Sequence, residues 1–185
     1  MKTIKLYAVA LLSCWLITCQ PKDILPAATE EGKNTFGCKI NGKSWVADGY
    51  GPGLFSTIKG VQGGILQIQT VSPRFRRALY IITIGGDGQA LDLYLNDLRV
   101  GTQQLNEITS PKPNALLPRN YGFYQSNRGG PVYITSDRFV GSINVTKVDT
   151  VTGIVAGTFS FSAGSTNGTS VNITDGRFDI NSYKQ

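Results

Sequence analysis

Histidine is absent from this chain of 185 residues. Its absence excludes Ser-His-Asp and Cys-His catalysis and most zinc sites, which depend on an imidazole as base or ligand. Cysteine is scarce, with only Cys14, Cys19 and Cys38. Cys14 lies in the N-terminal apolar run and Cys19 directly follows it, so Cys38 has no intramolecular partner once the first is removed and the second modified, and a disulfide framework is excluded. Long hydrophobic runs are also missing. The longest, Leu6 to Thr18, is shorter than the ~20 apolar residues a spanning helix needs. Helical periodicity is nearly absent. Gly85-Gly86-Asp87-Gly88 is the one glycine-rich stretch resembling a phosphate loop, but no helix follows it to hold an anion. It reads as a hairpin turn. No cofactor is expected, and no metal: the acidic residues show no EF-hand spacing, and Asp175 with Asp179 or Asp87 with Asp92 are the nearest approach to a calcium site.

Charge of one sign is only mildly in excess. The formal net charge is +6, and removal of Lys2 and Lys5 leaves sixteen basic against twelve acidic residues. The basic residues cluster once, at Arg74-Phe75-Arg76-Arg77. Nucleic-acid binding would need a broader basic face interleaved with stacking aromatics, so no nucleic-acid partner is expected. The cluster reads as a solvated loop or as a contact for phosphate or lipopolysaccharide.

The N-terminus carries the strongest signal. Lys2 and Lys5 precede the apolar run, which ends at Leu16-Ile17-Thr18-Cys19 before the chain turns polar. A charged start and a short apolar stretch make a secretory signal. The ending resembles a bacterial lipobox, in which the cysteine takes a diacylglycerol thioether and becomes the mature N-terminus. Cys14 ends a second such stretch but leaves Trp15-Leu16-Ile17 on the mature end, so Cys19 is preferred. The expected organisation is a signal peptide over 1–18, a flexible tether over 19–34 and a single β domain over 35–185. Gln20-Pro21-Lys22-Asp23 resembles the tag that follows the lipidated cysteine in surface-exported Bacteroidetes lipoproteins. An outer-membrane lipoprotein is therefore expected, facing either the surface or the periplasm and bound to the membrane through its N-terminal lipid.

From residue 35 onward, short β-rich runs alternate with Gly, Asn, Asp and Pro, as in an all-β domain. Asn41-Gly42 predicts a type I′ hairpin between strands at 35–41 and 44–47. Further strands are expected at 54–58, 65–70 with Leu66 and Ile68 inward, 79–84, 91–95, 121–125, 132–135, 141–148, 154–163, 171–173 and 177–180. Gly60 to Gly64 reads as a loop. Pro111, Pro113 and Pro118 forbid a central strand nearby, so 100–120 reads as irregular. Asp175-Gly176 predicts a bulge or a turn. The expected architecture is an antiparallel β-sandwich or barrel-like meander of about nine or ten strands.

Three motifs, Cys38-Lys39-Ile40-Asn41-Gly42-Lys43-Ser44-Trp45, Gly157-Thr158-Phe159-Ser160-Phe161-Ser162-Ala163 and Asp175-Gly176-Arg177-Phe178-Asp179, resemble a family of small all-β Bacteroidetes lipoproteins. The resemblance implies compartment and fold class, and no catalytic residues.

Candidate site residues are few. Tyr121, Phe123 and Tyr124, flanked by Asn120 and Gln125, suit stacking on a sugar ring with amides at its hydroxyls. Asp149-Thr150-Val151 resembles the Bacteroidetes O-glycosylation acceptor, which makes Thr150 a modification candidate. Cys38 alternates with Phe36 and Ile40 and reads as a buried hydrophobe. Trp45 reads as closing one end of the core, with Arg177 available to stack on it. Asp92 with Asp97, and Asp175 with Asp179, are carboxylate pairs of the kind a glycosidase uses, placed where solvated faces and turns are expected. The expected role is a non-enzymatic binding or accessory module for a glycan or a partner envelope protein. The alternative is a calycin-like carrier of a small apolar ligand.

Overall fold

Two hairpins dictated by local sequence set the frame. Strands β1 (Thr35–Ile40) and β2 (Lys43–Val46) pair with Ile40 opposite Lys43. The two residues between them, Asn41 and Gly42, have φ of 48° and 83°. Positive φ at both central positions is the type I′ geometry whose twist matches the strands it joins. At the other end of the chain, β10 (Ile154–Gly164) and β11 (Ser170–Asn181) form the longest hairpin. Phe159 and Phe161 of β10 face Gly176 and Ile173, so Thr174 and Asp175 together oppose Ser160. That extra residue is a bulge, and Asp175 holds a φ of 53° there. A bulge bends its strand and increases local twist.

The computed structural model describes residues 24–49, 58–69, 75–107 and 119–185. It contains eleven strands in one antiparallel sheet. The others are β3 (Val61–Gln69), β4 (Phe75–Ile84), β5 (Ala90–Leu95), β6 (Gly101–Gln104), β7 (Tyr121–Gln125), β8 (Val132–Ile134) and β9 (Gly141–Asp149). The order is β2-β1-β11-β10-β8-β7-β5-β4-β3, and β9 branches from β10 to carry β6. The sheet curls until β3 meets the end of β11. Side chains close this seam: the Gly63 amide donates to Gln185 Oε1 at 2.6 Å, and the Ile65 amide donates to the Ser182 hydroxyl at 2.9 Å. Gly64, with φ of 125°, faces Ser182 so closely that a side chain there would collide with it. The exit of β2 is tied across as well, by the Gly49 amide on the Ile84 carbonyl at 3.0 Å. The fold is all-β and barrel-like, as expected.

The interior follows the period-2 rule. Leu79, Ile81, Leu91, Leu93, Leu95, Ile143, Val145 and Ile180 are fully buried. Phe36 lies 4.9 Å from Phe159, which also approaches Phe161 and Phe178, so four rings form the centre. Cys38 is buried among them, and burial pushes its thiol up to about 12, far from reactive. A second apolar layer covers the opposite face of β4, β5 and β7, built on Ala78, Tyr94, Tyr121 and Phe123 with Ile68, Tyr80, Val132 and Ile134 packed on it.

Several expectations are corrected. Gly60 to Gly64 is not a loop: β3 begins at Val61, and positive φ at Gly63 and Gly64 lets the strand pass close to its neighbours. That early start changes the faces. Ile65, not Leu66, packs on the interior; Leu66 is 37% exposed and Ile68 joins the outer layer. Strand β6 lies inside the stretch read as irregular. The two expected strands at 171–173 and 177–180 are one bulged strand. Residues 54–57, the three prolines of 108–118 and Arg74 lie outside the described residues.

The tether is also corrected. From Thr29 to Asn34 the chain is pinned to the domain. The Thr29 hydroxyl and the amides of Glu31, Gly32 and Lys33 all donate to the carboxylate of Asp179, at 2.6 to 3.3 Å. Asn34 accepts from the Asn181 amide at 2.7 Å and donates to the Lys184 carbonyl at the same distance. A buried carboxylate surrounded by donors recruits its own cover, and composition alone does not reveal that.

Candidate functional site

The turns at 41–42, 85–89, 126–131 and 165–169 gather at one end of the barrel. Trp45 on β2 points inward beneath them, edge-on to Phe36 at 6.3 Å. Its Nε1 donates to Asp87 Oδ1 at 3.4 Å. The same oxygen accepts from the Gln89 amide at 3.0 Å, as expected of an Asp folding its own turn. The Gln89 side chain donates to Asp87 Oδ2 and accepts at Oε1 from the Tyr124 hydroxyl. Trp45, Asp87, Gln89 and Tyr124 thus form one hydrogen-bonded chain across the mouth. Tyr133 packs against Tyr124 at 5.7 Å.

This chain forms one wall of a cavity of about 360 Å³, completed by Ile40, Asn41, Lys43 and Ser44. A second cavity of about 290 Å³, beside Arg128 and Asn127, shares Asp87 as its wall. The Ser44 hydroxyl is buried with no hydrogen-bond partner among the described residues. Burial, with the Asp87 charge adding to it, pushes the Tyr124 phenol up to about 12, so it remains a neutral donor across the physiological range. The site offers two aromatic rings, one carboxylate, two amides, a hydroxyl and the Lys43 ammonium. A few convergent polar groups on an apolar base describe a small-ligand pocket.

Of the three aromatics read as a contact patch, only Tyr124 lines this cavity. Tyr121 and Phe123 are 1% and 3% exposed and belong to the outer apolar layer. The expected exposed patch is not formed. Alternation along β7 sends Tyr121 and Phe123 to one face and Tyr124 to the other, so the three never share a surface. Tyr121 stacks on Tyr94 at 5.7 Å and shares a hydrogen bond with Tyr80. Burial, followed by the electrostatic effects of Tyr80 and then Asp92, raises the Tyr121 phenol.

Arg177 does not stack on Trp45. It points outward and donates to the carbonyls of Asp175 and Pro26, while Trp45 faces the interior. Asp175 pairs with Lys39 at 2.9 Å, and that contact holds its carboxyl below the usual range; Asp179 is engaged separately by the N-terminal segment. Asp97 pairs with Arg99, and Asp92 is buried in the outer layer. Among the described residues, no group of three or more Cys, Asp or Glu that could hold a metal gathers. Thr150 is half-buried in the turn after β9, where Asp149 accepts from the amides of Val151 and Thr152 and the Thr150 carbonyl accepts from the Tyr183 hydroxyl. Cys19 lies outside the described residues.

Gln89 escaped the sequence reading. Its only signal was its place two residues after Asp87 in a glycine-rich turn, and nothing local shows that this turn faces Trp45.

A family model described as a domain of unknown function (DUF6252) matches residues 66–179. No curated protein and no solved structure matches the chain.

Proposed function

The chain belongs to that family, and we propose that it is a lipid-anchored, non-enzymatic binding module of the bacterial envelope whose barrel mouth takes a sugar. The observation that carries this reading is the Trp45–Asp87–Gln89–Tyr124 chain on the wall of a 360 Å³ cavity. A pyranose presents apolar C–H faces and a rim of hydroxyls. Ring surfaces suit the faces, and the amides, carboxylate and ammonium suit the rim. Among the described residues Asp87 is the single carboxylate in the lining, whereas glycosidic cleavage uses a pair. That supports binding without turnover. An apolar carrier is less well supported, because large fully buried side chains fill the interior.

Gln89→Ala and Tyr124→Phe each break the chain without emptying the core. Each is expected to weaken sugar binding about tenfold or more, roughly the loss of one buried hydrogen bond. Isothermal titration against monosaccharides checks this, and unchanged affinity in both variants rejects the mouth as the site. The anchor is tested separately. Cys19→Ala is expected to move the protein from the membrane to the soluble fraction, and protease added to intact cells distinguishes a surface from a periplasmic face. Retention of the variant in the membrane would remove the Cys19 anchor.

A further inference from the structure

Away from the mouth lies a groove of about 600 Å³ on the outer face of β9, β10 and β11, walled on one side by Ala28 of the N-terminal segment. Strand register lays its residues in rows, which Thr102 and Gln104 of β6 continue outside the lining. Thr102, Asn144, Thr158 and Arg177 stand opposite one another across β6, β9, β10 and β11. Gln104, Ser142 and Ser160 form the next row. Neighbouring strands lie ~4.8 Å apart, so each row repeats hydroxyl or amide groups at that interval.

An outward-facing sheet surface is ordinarily polar. This one carries short Ser, Thr and Asn side chains, which leave the sheet open to approach. Among the described residues of the lining, only Asp175 and Arg177 are charged. Asp175 is committed to Lys39 at 2.9 Å. Among the described residues no carboxylate makes a salt bridge to Arg177; its guanidinium rests on the carbonyls of Asp175 and Pro26 through contacts of 3.3 to 3.4 Å. The groove therefore offers a cation at one end of a neutral, hydroxyl-rich floor. Guanidinium recognises carboxylates by paired hydrogen bonds, and its partial satisfaction by carbonyls leaves that capacity available. The floor matches a ligand rich in hydroxyls and poor in other charge.

We propose that this groove is a second binding site, for an acidic polysaccharide chain whose carboxylate pairs with Arg177 while its hydroxyls bond to the Ser, Thr and Asn rows. The site is independent of the barrel mouth. Every lining residue except Ala28 lies within the span that defines the family.

The test is calorimetric titration of the detergent-solubilised mature lipoprotein with oligogalacturonate, and with the same oligomer methyl-esterified to remove its charges. The free acid is expected to bind and the ester to bind at least tenfold more weakly. Arg177→Gln is expected to weaken the free acid at least tenfold. Because Arg177 also holds Pro26, Ser160→Tyr provides a second variant: it fills the groove from an exposed position, leaves the N-terminal segment in place, and is expected to abolish binding. Gln89→Ala at the mouth is expected to leave oligogalacturonate affinity unchanged. Failure of the wild type to bind the free acid would overturn the proposal, as would equal binding by wild type and Ser160→Tyr. Equal binding of poly-glutamate would reassign the groove to acidic peptides and overturn the glycan assignment.

Discussion

Asp179→Ala is expected to lower the unfolding free energy by about 3 kcal/mol or more and to release the N-terminal segment from the barrel. The Asp179 side chain sits in a residue only 1% exposed and accepts from Thr29, Glu31, Gly32 and Lys33. Charge-assisted bonds of this kind are stronger than neutral ones, and removing the acceptor strands several donors at once. Burial alone would raise the carboxyl, yet the hydrogen bonds outweigh it and the net shift is downward. The sign of the pH dependence follows. A carboxyl whose pKa is lower folded than unfolded contributes its stability above the unfolded value of about 4, and that stability is lost as pH falls through the folded pKa. Wild type is therefore expected to hold its melting temperature from about pH 8 down to about pH 5 and to lose it steeply below pH 4. Asp179→Asn, already weakened at neutral pH, is expected to show a shallower acid limb. Thermal unfolding by circular dichroism across that range checks both claims, and identical acid limbs would refute them. Hydrogen exchange at the amides of Glu31 to Lys33 should quicken in either variant.

Phe159→Ala is the second large effect, at about 3–5 kcal/mol. Phe159 touches Phe36, Phe161 and Phe178 at ring separations of 4.9 to 6.4 Å. It also lies over the bulge: a Cβ on Gly176 would meet the Phe159 ring at 2.5 to 2.6 Å. The two positions are therefore coupled. Gly176→Ala is expected to destabilise the wild type markedly, and to cost less once Phe159 is alanine and the space is open. A double-mutant cycle in urea should yield an interaction energy of about 0.5–3 kcal/mol. Strict additivity would show that the ring and the bulge do not meet.

The sequence was legible wherever a local rule acted alone. Asn41-Gly42 made its hairpin because few other pairs accept positive φ at both positions. Thr158 to Ser162 alternated, and Phe159 and Phe161 went inside. Cys38 was readable as core for the same reason. Legibility failed where two elements distant in sequence act together. Glycines 63 and 64 look like loop residues, and only the presence of Tyr80 and Ser182 beside them explains why a strand requires glycine there. Tyr121 and Phe123 look like an exposed patch because one polar-out face is the simplest assumption for a sheet; here β4, β5 and β7 carry apolar residues on both faces. The tether looked free because its partner, Asp179, lies some 150 residues away. The mouth site failed for that reason too: Trp45, Gln89 and Tyr124 come from three hairpins, and only the closure of the sheet brings them into one wall.

Trp45 supplies the most direct test of the binding claim. If the proposed cleavage before Cys19 takes place, Trp15 is removed and Trp45 is the single tryptophan, placed in the wall of the mouth. The purified protein, with the proposed signal peptide removed, would be titrated with hexoses and N-acetylhexosamines while Trp45 fluorescence is followed, and the sugars recovered afterwards by chromatography. The account predicts a saturable change for at least one sugar, an affinity about tenfold weaker in Gln89→Ala, and sugar recovered intact. No saturable change across the panel at millimolar concentration, or cleaved products in the recovered sugar, would contradict it.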